Sequence, residues 1–158
     1  MELGYLMDHE EFIPCLVRWH HSEWSYLRPG ESLEERETRL RGYCGRRQIP
    51  TVIISFSGTD LLGSALLLPS DMDTRKELSP WLAGVFVAPN QRRKGIGAAL
   101  VSRIIEEAQS LNVSTLYLYT PDKEQFYSRR GWSVMDRTVY RKTSVVVMSH
   151  GLAAQPHT

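Results

Sequence analysis

The spacing of apolar positions changes several times along this chain, and each change marks an element. After a short extended start, Phe12, Leu16, Trp19 and Tyr26 recur at roughly helical intervals. With Asp8-His9-Glu10-Glu11 as a capping box and Pro29-Gly30 as a stop, they predict a first helix over 9–26. A second capping box, Ser32-Leu33-Glu34-Glu35, opens a charged segment reaching to about Arg47, where Leu33, Leu40 and Tyr43 give only a thin apolar stripe, so a surface helix is expected. The period then shortens. "TVIISF" (51–56) and "LLGSALLL" (61–68) flank Ser57-Gly58-Thr59-Asp60 as a hairpin, and the polar stretch "PSDMDTRKELS" reads as a solvated loop before strand character returns in "WLAGVFV" (81–87).

Beyond Pro89-Asn90 a second long helix is predicted, with Ile96, Leu100, Ile104, Ala108 and Leu111 on one face and Arg103, Glu106, Glu107 and Ser110 largely off it. "STLYLY" (114–119) is a strand, Pro121 to Arg130 a short helix closed by Gly131, and "WSVMDRTVYRKTSVVVM" a final strand pair. The order β-α-α-β-β-β-α-β-α-β-β is that of a mixed α/β (α+β) domain with helices packed on a sheet, and neither an all-parallel doubly wound repeat nor a helical bundle. No linker divides the chain. One domain over 1–148 is expected, with 149–158 as a loose tail.

Composition narrows the chemistry. The chain has 158 residues, 42% hydrophobic and 23% charged, enough to bury a core, and a net charge of +1 gives no broad surface for nucleic acid or membrane. The acidic N-terminus lacks the form of a signal peptide, and no apolar run approaches the roughly 18 residues of a membrane span, so a cytoplasmic protein is expected. Cys15 and Cys44 have no CxxC or Cys/His spacing and read as buried free thiols; the five histidines form no metal pattern, and no metal is expected.

A local basic cluster remains, Arg92-Arg93-Lys94, followed by Gly95-Ile96-Gly97-Ala98 where the long helix begins. A glycine inside a helix costs about 0.8–1.0 kcal/mol against alanine, so two at its start call for a compensating role. The first turn of a helix exposes unbonded N–H groups and a partial positive charge, and residues without Cβ let a diphosphate approach them. A tight strand-to-helix turn with solvated basic residues is the plainer alternative. It is not a dinucleotide fingerprint, because Leu100 stands where the third small residue belongs; Gly-Lys-Ser/Thr of a P-loop is absent; and no aromatic set for stacking nucleic-acid bases accompanies it.

The segment Arg92-Arg93-Lys94-Gly95-Ile96-Gly97-Ala98, preceded by Val85-Phe86-Val87-Ala88-Pro89, resembles the acetyl-CoA signature of the GCN5-related N-acetyltransferase (GNAT) superfamily. A second block, Phe126-Tyr127-Ser128-Arg129-Arg130-Gly131-Trp132, is similar to that family's F/L-Y-x-x-x-G-F/Y segment, and one helix plus one strand separates the two blocks. The resemblance implies a mixed, mostly antiparallel sheet of about six or seven strands flanked by about four helices. It implies acetyl-CoA as cosubstrate, with its pyrophosphate on the amides of Arg93 to Ala98 beside Arg92, and its pantetheine along the edge of Val85, Phe86 and Val87. The strand 81–87 is expected to splay from 115–119, with an N–H near Val85 polarising the thioester.

By the same resemblance Tyr127 acts near the CoA sulfur. An ordinary tyrosine pKa of about 10 against about 8.5 for a thiol leaves open whether it transfers a proton or only hydrogen-bonds the departing thiolate. Many relatives carry a basic Glu on the strand before the cofactor loop, but Trp81-Leu82-Ala83-Gly84-Val85 has no carboxylate. A water chain ending on Glu23, His20, His21 or a strand carbonyl is the substitute. Where relatives have Asn, Thr120 stands, read as an N-cap with Pro121 at the first helical position. Trp19, Trp24, Tyr26, Trp81 and Trp132 are candidates for the acceptor side. The implied activity is N-acetylation of a small-molecule or peptide amine by direct attack in a ternary complex, with a non-catalytic acyl-CoA-binding module as the alternative. A homodimer stays open.

Overall fold

The computed structural model describes residues 1–153. Seven strands form one sheet: β1 (Glu2–Tyr5), β2 (Thr51–Ser57), β3 (Asp60–Leu68), β4 (Trp81–Val87), β5 (Thr115–Thr120), β6 (Ser133–Tyr140) and β7 (Thr143–Gly151), in the spatial order β1-β2-β3-β4-β5-β7-β6. Every neighbouring pair is antiparallel except β4 and β5. Four α-helices accompany it: α1 (Ile13–Trp24), α2 (Leu33–Gly42), α3 (Ile96–Ser110) and α4 (Glu124–Ser128). This is the mixed α/β fold that the order of elements implied.

The central strands are apolar without alternation because both of their faces are covered. On one face α3 sets Ile96, Leu100, Ile104 and Ala108 against Ile53, Leu67 and Leu116. On the other, Ile13, Leu16 and Val17 of α1 and Leu40 of α2 pack on Val52, Ile54 and Leu66. Adjacent residues of β2 thus belong to opposite halves of the core, as the two-residue period of a strand requires.

Several boundaries differ from those the sequence predicted. The first helix is shorter than 9–26. Two 3-10 turns, Leu6–Asp8 and Glu10–Phe12, precede α1, which begins with Pro14 in its first turn, a position that tolerates the missing N–H. Asp8 does not cap it: its carboxylate is drawn into an ion pair with Arg46. The charged helix stops at Gly42, five residues before Arg47. Glu107 lies on the buried side of α3, only 3% exposed, where it accepts the Tyr5 hydroxyl at 2.9 Å and pairs with Arg103 at 2.8 Å. A carboxylate with two partners can occupy a position that apolar periodicity alone assigns to the surface. Cys15 and Cys44 are free but half-buried. Residues 149–151 are not loose, since β7 pairs through Gly151 with Thr115 and the Leu152 amide donates to Ser114; residues 154–158 lie outside the described part. Among the described residues, no helix is long and apolar enough to cross a membrane.

Candidate active site

The parallel pair β4 and β5 meets at one register position, Trp81 opposite Tyr117, with the Tyr117 amide donating to Pro80 at 3.1 Å. Beyond that point the strands diverge, leaving the β4 edge open in the middle of the sheet. Near the opening β4 carries a bulge. Leu66 faces Ala83 and Ser64 faces Phe86, so Gly84 and Val85 together oppose Ala65. Gly84 adopts φ +56°, and a Cβ there would come within 2.6 Å of Leu66 Cδ1, which explains why this bulge needs glycine.

A buried polar relay ties the bulge to the helices. The Ser64 hydroxyl donates to the Gly84 carbonyl at 2.8 Å, and His20 Nε2 lies 2.8 Å from the same hydroxyl. Because the hydroxyl's one proton is used on Gly84, His20 must donate through Nε2–H, which fixes its tautomer. Burial, reinforced by Arg36 and Arg39, lowers its pKa to about 3. His20 is therefore a neutral structural link, poorly suited to receive a proton.

At the far end of β4 the chain turns into α3. The Ala88 amide donates to Leu62 of β3 at 2.8 Å, and a Cβ on Gly63 would strike the Phe86 carbonyl at 2.6 Å. Phe86 thus directs its backbone at β3, and its ring packs on Trp19 and Trp24 of α1. Strand alternation turns the Val87 backbone to the open edge. The expectation that all three residues 85–87 present an edge is corrected at Phe86.

The mouth of α3 has no side-chain cap. Gly95, its N-cap residue, has φ +81°, and Arg93 has φ +65°, left-handed backbone of the kind from which anion-binding nests of successive N–H groups are built. The bonded amides at its borders are those of Gln91, to Ala88, and Ala99, to Gly95. Between them the N–H groups of Arg92, Arg93, Lys94, Gly95, Ile96, Gly97 and Ala98 donate to nothing among the described residues. Gly95 is explained first by its left-handed backbone, and no atom lies within 4 Å of where its Cβ would be. The side chains of the basic cluster are exposed. Arg92 Nε folds back to the Val87 carbonyl at 3.0 Å, Lys94 reaches Gln91 at 3.2 Å, and Arg93 has no partner among the described residues.

On the α1 and α2 side of the split lies a cavity of about 280 Å³, which Val85, Thr120 and Tyr127 line together. Tyr127 comes from α4 and is 7% exposed; its ring is held by Phe126 and Trp132, and burial raises its pKa above the ordinary tyrosine value. Thr120 is not the N-cap of α4, which begins at Glu124. Its Oγ1 accepts instead from the amides of Lys123 and Asp122, at 3.0 and 3.4 Å, closing the turn that leads into the helix.

Of the five aromatic candidates, Trp24 and Tyr26 line the cavity, whereas Trp81 and Trp132 are buried in the core and Trp19 faces a separate hollow. The cavity also takes in Asp71, from the loop between β3 and β4 whose polar composition predicts a solvated segment. The missed signal is its place, three residues after the buried run that ends at Leu68. Among the described residues, no cluster of three His, Cys, Asp or Glu side chains is placed to hold a metal ion.

The sequence matches the model of the acetyltransferase (GNAT) family over residues 13–132, which takes in the α1 side of the cavity, the open edge, the amide-rich loop and Tyr127. The chain belongs to this family. Similar GNAT-fold structures include ribosomal-protein-alanine N-acetyltransferase from Brucella melitensis, at TM-score 0.73 and 19% identity over 96% of this chain and 100% of that one. Aminoglycoside 6'-acetyltransferase type Ii aligns at TM-score 0.75 and 17% identity, and an aminoglycoside 6'-N-acetyltransferase complexed with coenzyme A at 0.75 and 15%, each over 99% of this chain and 100% of the other. At such identities the likeness shows that this GNAT chain shares their fold. No curated protein matches it significantly.

Proposed function

We propose that this GNAT protein transfers the acetyl group of acetyl-CoA to a primary amine of a small molecule or peptide, by direct attack within a ternary complex. The observation that carries the reading is the run of seven amides, Arg92 to Ala98, that are unbonded among the described residues and lie beside an open strand edge. The amides of Arg93–Ala98 hold the cofactor's diphosphate, the helix macrodipole and the exposed Arg92, Arg93 and Lys94 favour its charge, and the edge at Val85 and Val87 receives the pantetheine as an added strand. Bound there, the cofactor supplies an activated acetyl thioester.

The chain's own groups then have distinct tasks. The bulge at Gly84–Val85 brings a main-chain N–H to the thioester carbonyl, the role of an oxyanion donor. Tyr127, whose burial keeps it protonated throughout the physiological range, donates a hydrogen bond to the departing sulfur. Its raised pKa argues against complete proton transfer from the phenol, since the ordinary gap to a thiol, about 1.5 units or roughly 2 kcal/mol, is already uphill. The fold resembles both an acetyltransferase acting on a ribosomal protein and acetyltransferases acting on aminoglycosides, so both peptide and aminoglycoside amines belong in the test.

Release of free thiol from acetyl-CoA across a panel of amines, peptides and aminoglycosides tests the reading. Turnover with one class is expected, and Tyr127→Phe should lower kcat about 100-fold, within the usual range for such a group, with acetyl-CoA affinity held within about threefold. Protection from heating by CoA with no thiol release from any acceptor would instead identify a binding module.

A further inference from the structure

We propose that Asp71 is the catalytic base of this transferase, the group that takes the first proton from the acceptor ammonium; this rests on the acetyl-transfer reading above. β4 has no carboxylate, and His20 is a neutral link already bonded to Ser64. Three carboxylates line the cavity, Glu23, Asp71 and Asp122; the first and last are exposed, while Asp71 is partly buried. A base must come within hydrogen-bond reach of the reacting nitrogen, directly or through one water, and Asp71 borders the same cavity as Val85 and Tyr127.

Its surroundings leave it available. Arg28, at the end of the segment after α1, Arg39 of α2 and Arg141 of the β6–β7 turn are the cations that act on it. Two of these are engaged elsewhere: Arg39 forks onto Glu31 at 2.8 and 3.1 Å, and Arg141 is held by Asp73, the Leu27 carbonyl and Tyr140. Arg28 is exposed. Asp71 itself makes no hydrogen bond or ion pair among the described residues. The remaining titratable groups on this cavity are Tyr26, Tyr119 and Tyr140, with Arg36 of α2, His20 and Glu23 of α1, and Asp122, Lys123 and Tyr127 beside β5 and on α4. Burial outweighs the three arginines and raises the Asp71 pKa to about 7, which suits a group that must accept and release a proton near neutrality.

The step balances without another reactant. The acceptor ammonium gives one proton to the Asp71 carboxylate, directly or across one water, and its freed lone pair forms the N–C bond to the acetyl carbon as the C–S bond breaks. The second proton leaves nitrogen for the departing sulfur, which Tyr127 hydrogen-bonds, and Asp71 returns its proton to solvent. The products are the amide, free thiol and one proton.

Two measurements test this. The first is independent of turnover: a carbon-13 chemical-shift titration of the Asp71 carboxyl in the full chain, assigned with Asp71→Asn, should give a midpoint near 7, and an ordinary carboxylate value near 4 overturns the proposal. The second uses the amine giving most thiol in the acceptor screen. kcat/KM should fall below a midpoint near 7, and Asp71→Asn should lose about 100-fold in rate together with that acid limb. Asp71→Glu should restore part of both, and thermal melts should show both variants folded. A β-fluorinated analogue of the amine, neutral at the assay pH, should narrow the Asp71→Asn deficit to below about tenfold. If wild type turns over and Asp71→Asn keeps the limb and its rate within threefold, Asp71 is not the base. Absence of thiol release by wild type with every amine contradicts the transfer reading, while the shift titration still judges Asp71.

Discussion

Two helices of this molecule begin in opposite ways. At α2 the Ser32 hydroxyl accepts the Glu35 amide at 3.0 Å, the Glu35 carboxylate accepts the Ser32 amide at 3.2 Å, and Glu34 adds a further negative charge to the first turn. At α3 the N-cap is a left-handed glycine, the first turn holds no acid, and the amides of residues 92–98 donate to nothing among the described residues. A cap is typically worth about 1 kcal/mol, so α3 forgoes stability that α2 takes from its own side chains. The contrast matches the proposed roles, one helix start completed by its own side chains and the other left open for the diphosphate.

The largest expected effect lies away from the mouth of α3. Glu107 anchors the body of α3 to Tyr5 of β1 and to Arg103, and its removal empties a buried position and takes from the half-buried Arg103 and the Tyr5 hydroxyl the carboxylate they share. Glu107→Ala should cost about 3 kcal/mol in a denaturant titration, with the coenzyme A affinity of the folded protein retained. Next, Gly95→Asp gives α3 an internal carboxylate at a residue type that tolerates positive φ. Calorimetry should find acetyl-CoA bound about 30-fold more weakly, near 2 kcal/mol, and affinity within a factor of three of wild type would show that the loop does not hold the diphosphate. Least of all, Ser32→Ala should lower stability by about 1 kcal/mol, a fall in Tm of about 3 °C, without altering cofactor affinity.

The same contrast explains what could be read from the residues. Ser32 and Glu35 form a bond between neighbours in sequence, and their capping box was legible as written. The open mouth was legible too, because a glycine at the start of a helix is a local signal that no side chain caps it. Asp8 carried an equally good local pattern and failed, since Arg46, 38 positions away, claims its carboxylate. Glu107 was misplaced for the same reason: Tyr5 reaches it from the other end of the chain. Asp71 and the His20–Ser64–Gly84 relay depend on which strand lies beside which helix. A lone serine in "LLGSALLL" and a glycine inside "WLAGVFV" hinted at polar and bulged positions, but only the sheet register joins them.

The central claim is that a diphosphate lodges on main-chain amides at the mouth of α3. Backbone amide shifts followed by NMR during titration with acetyl-CoA test it most directly. The largest changes are predicted at residues 93–98, smaller ones at Val85 and Val87, and none at the capped start of α2. Saturable binding that leaves the 93–98 amides unmoved would contradict the account.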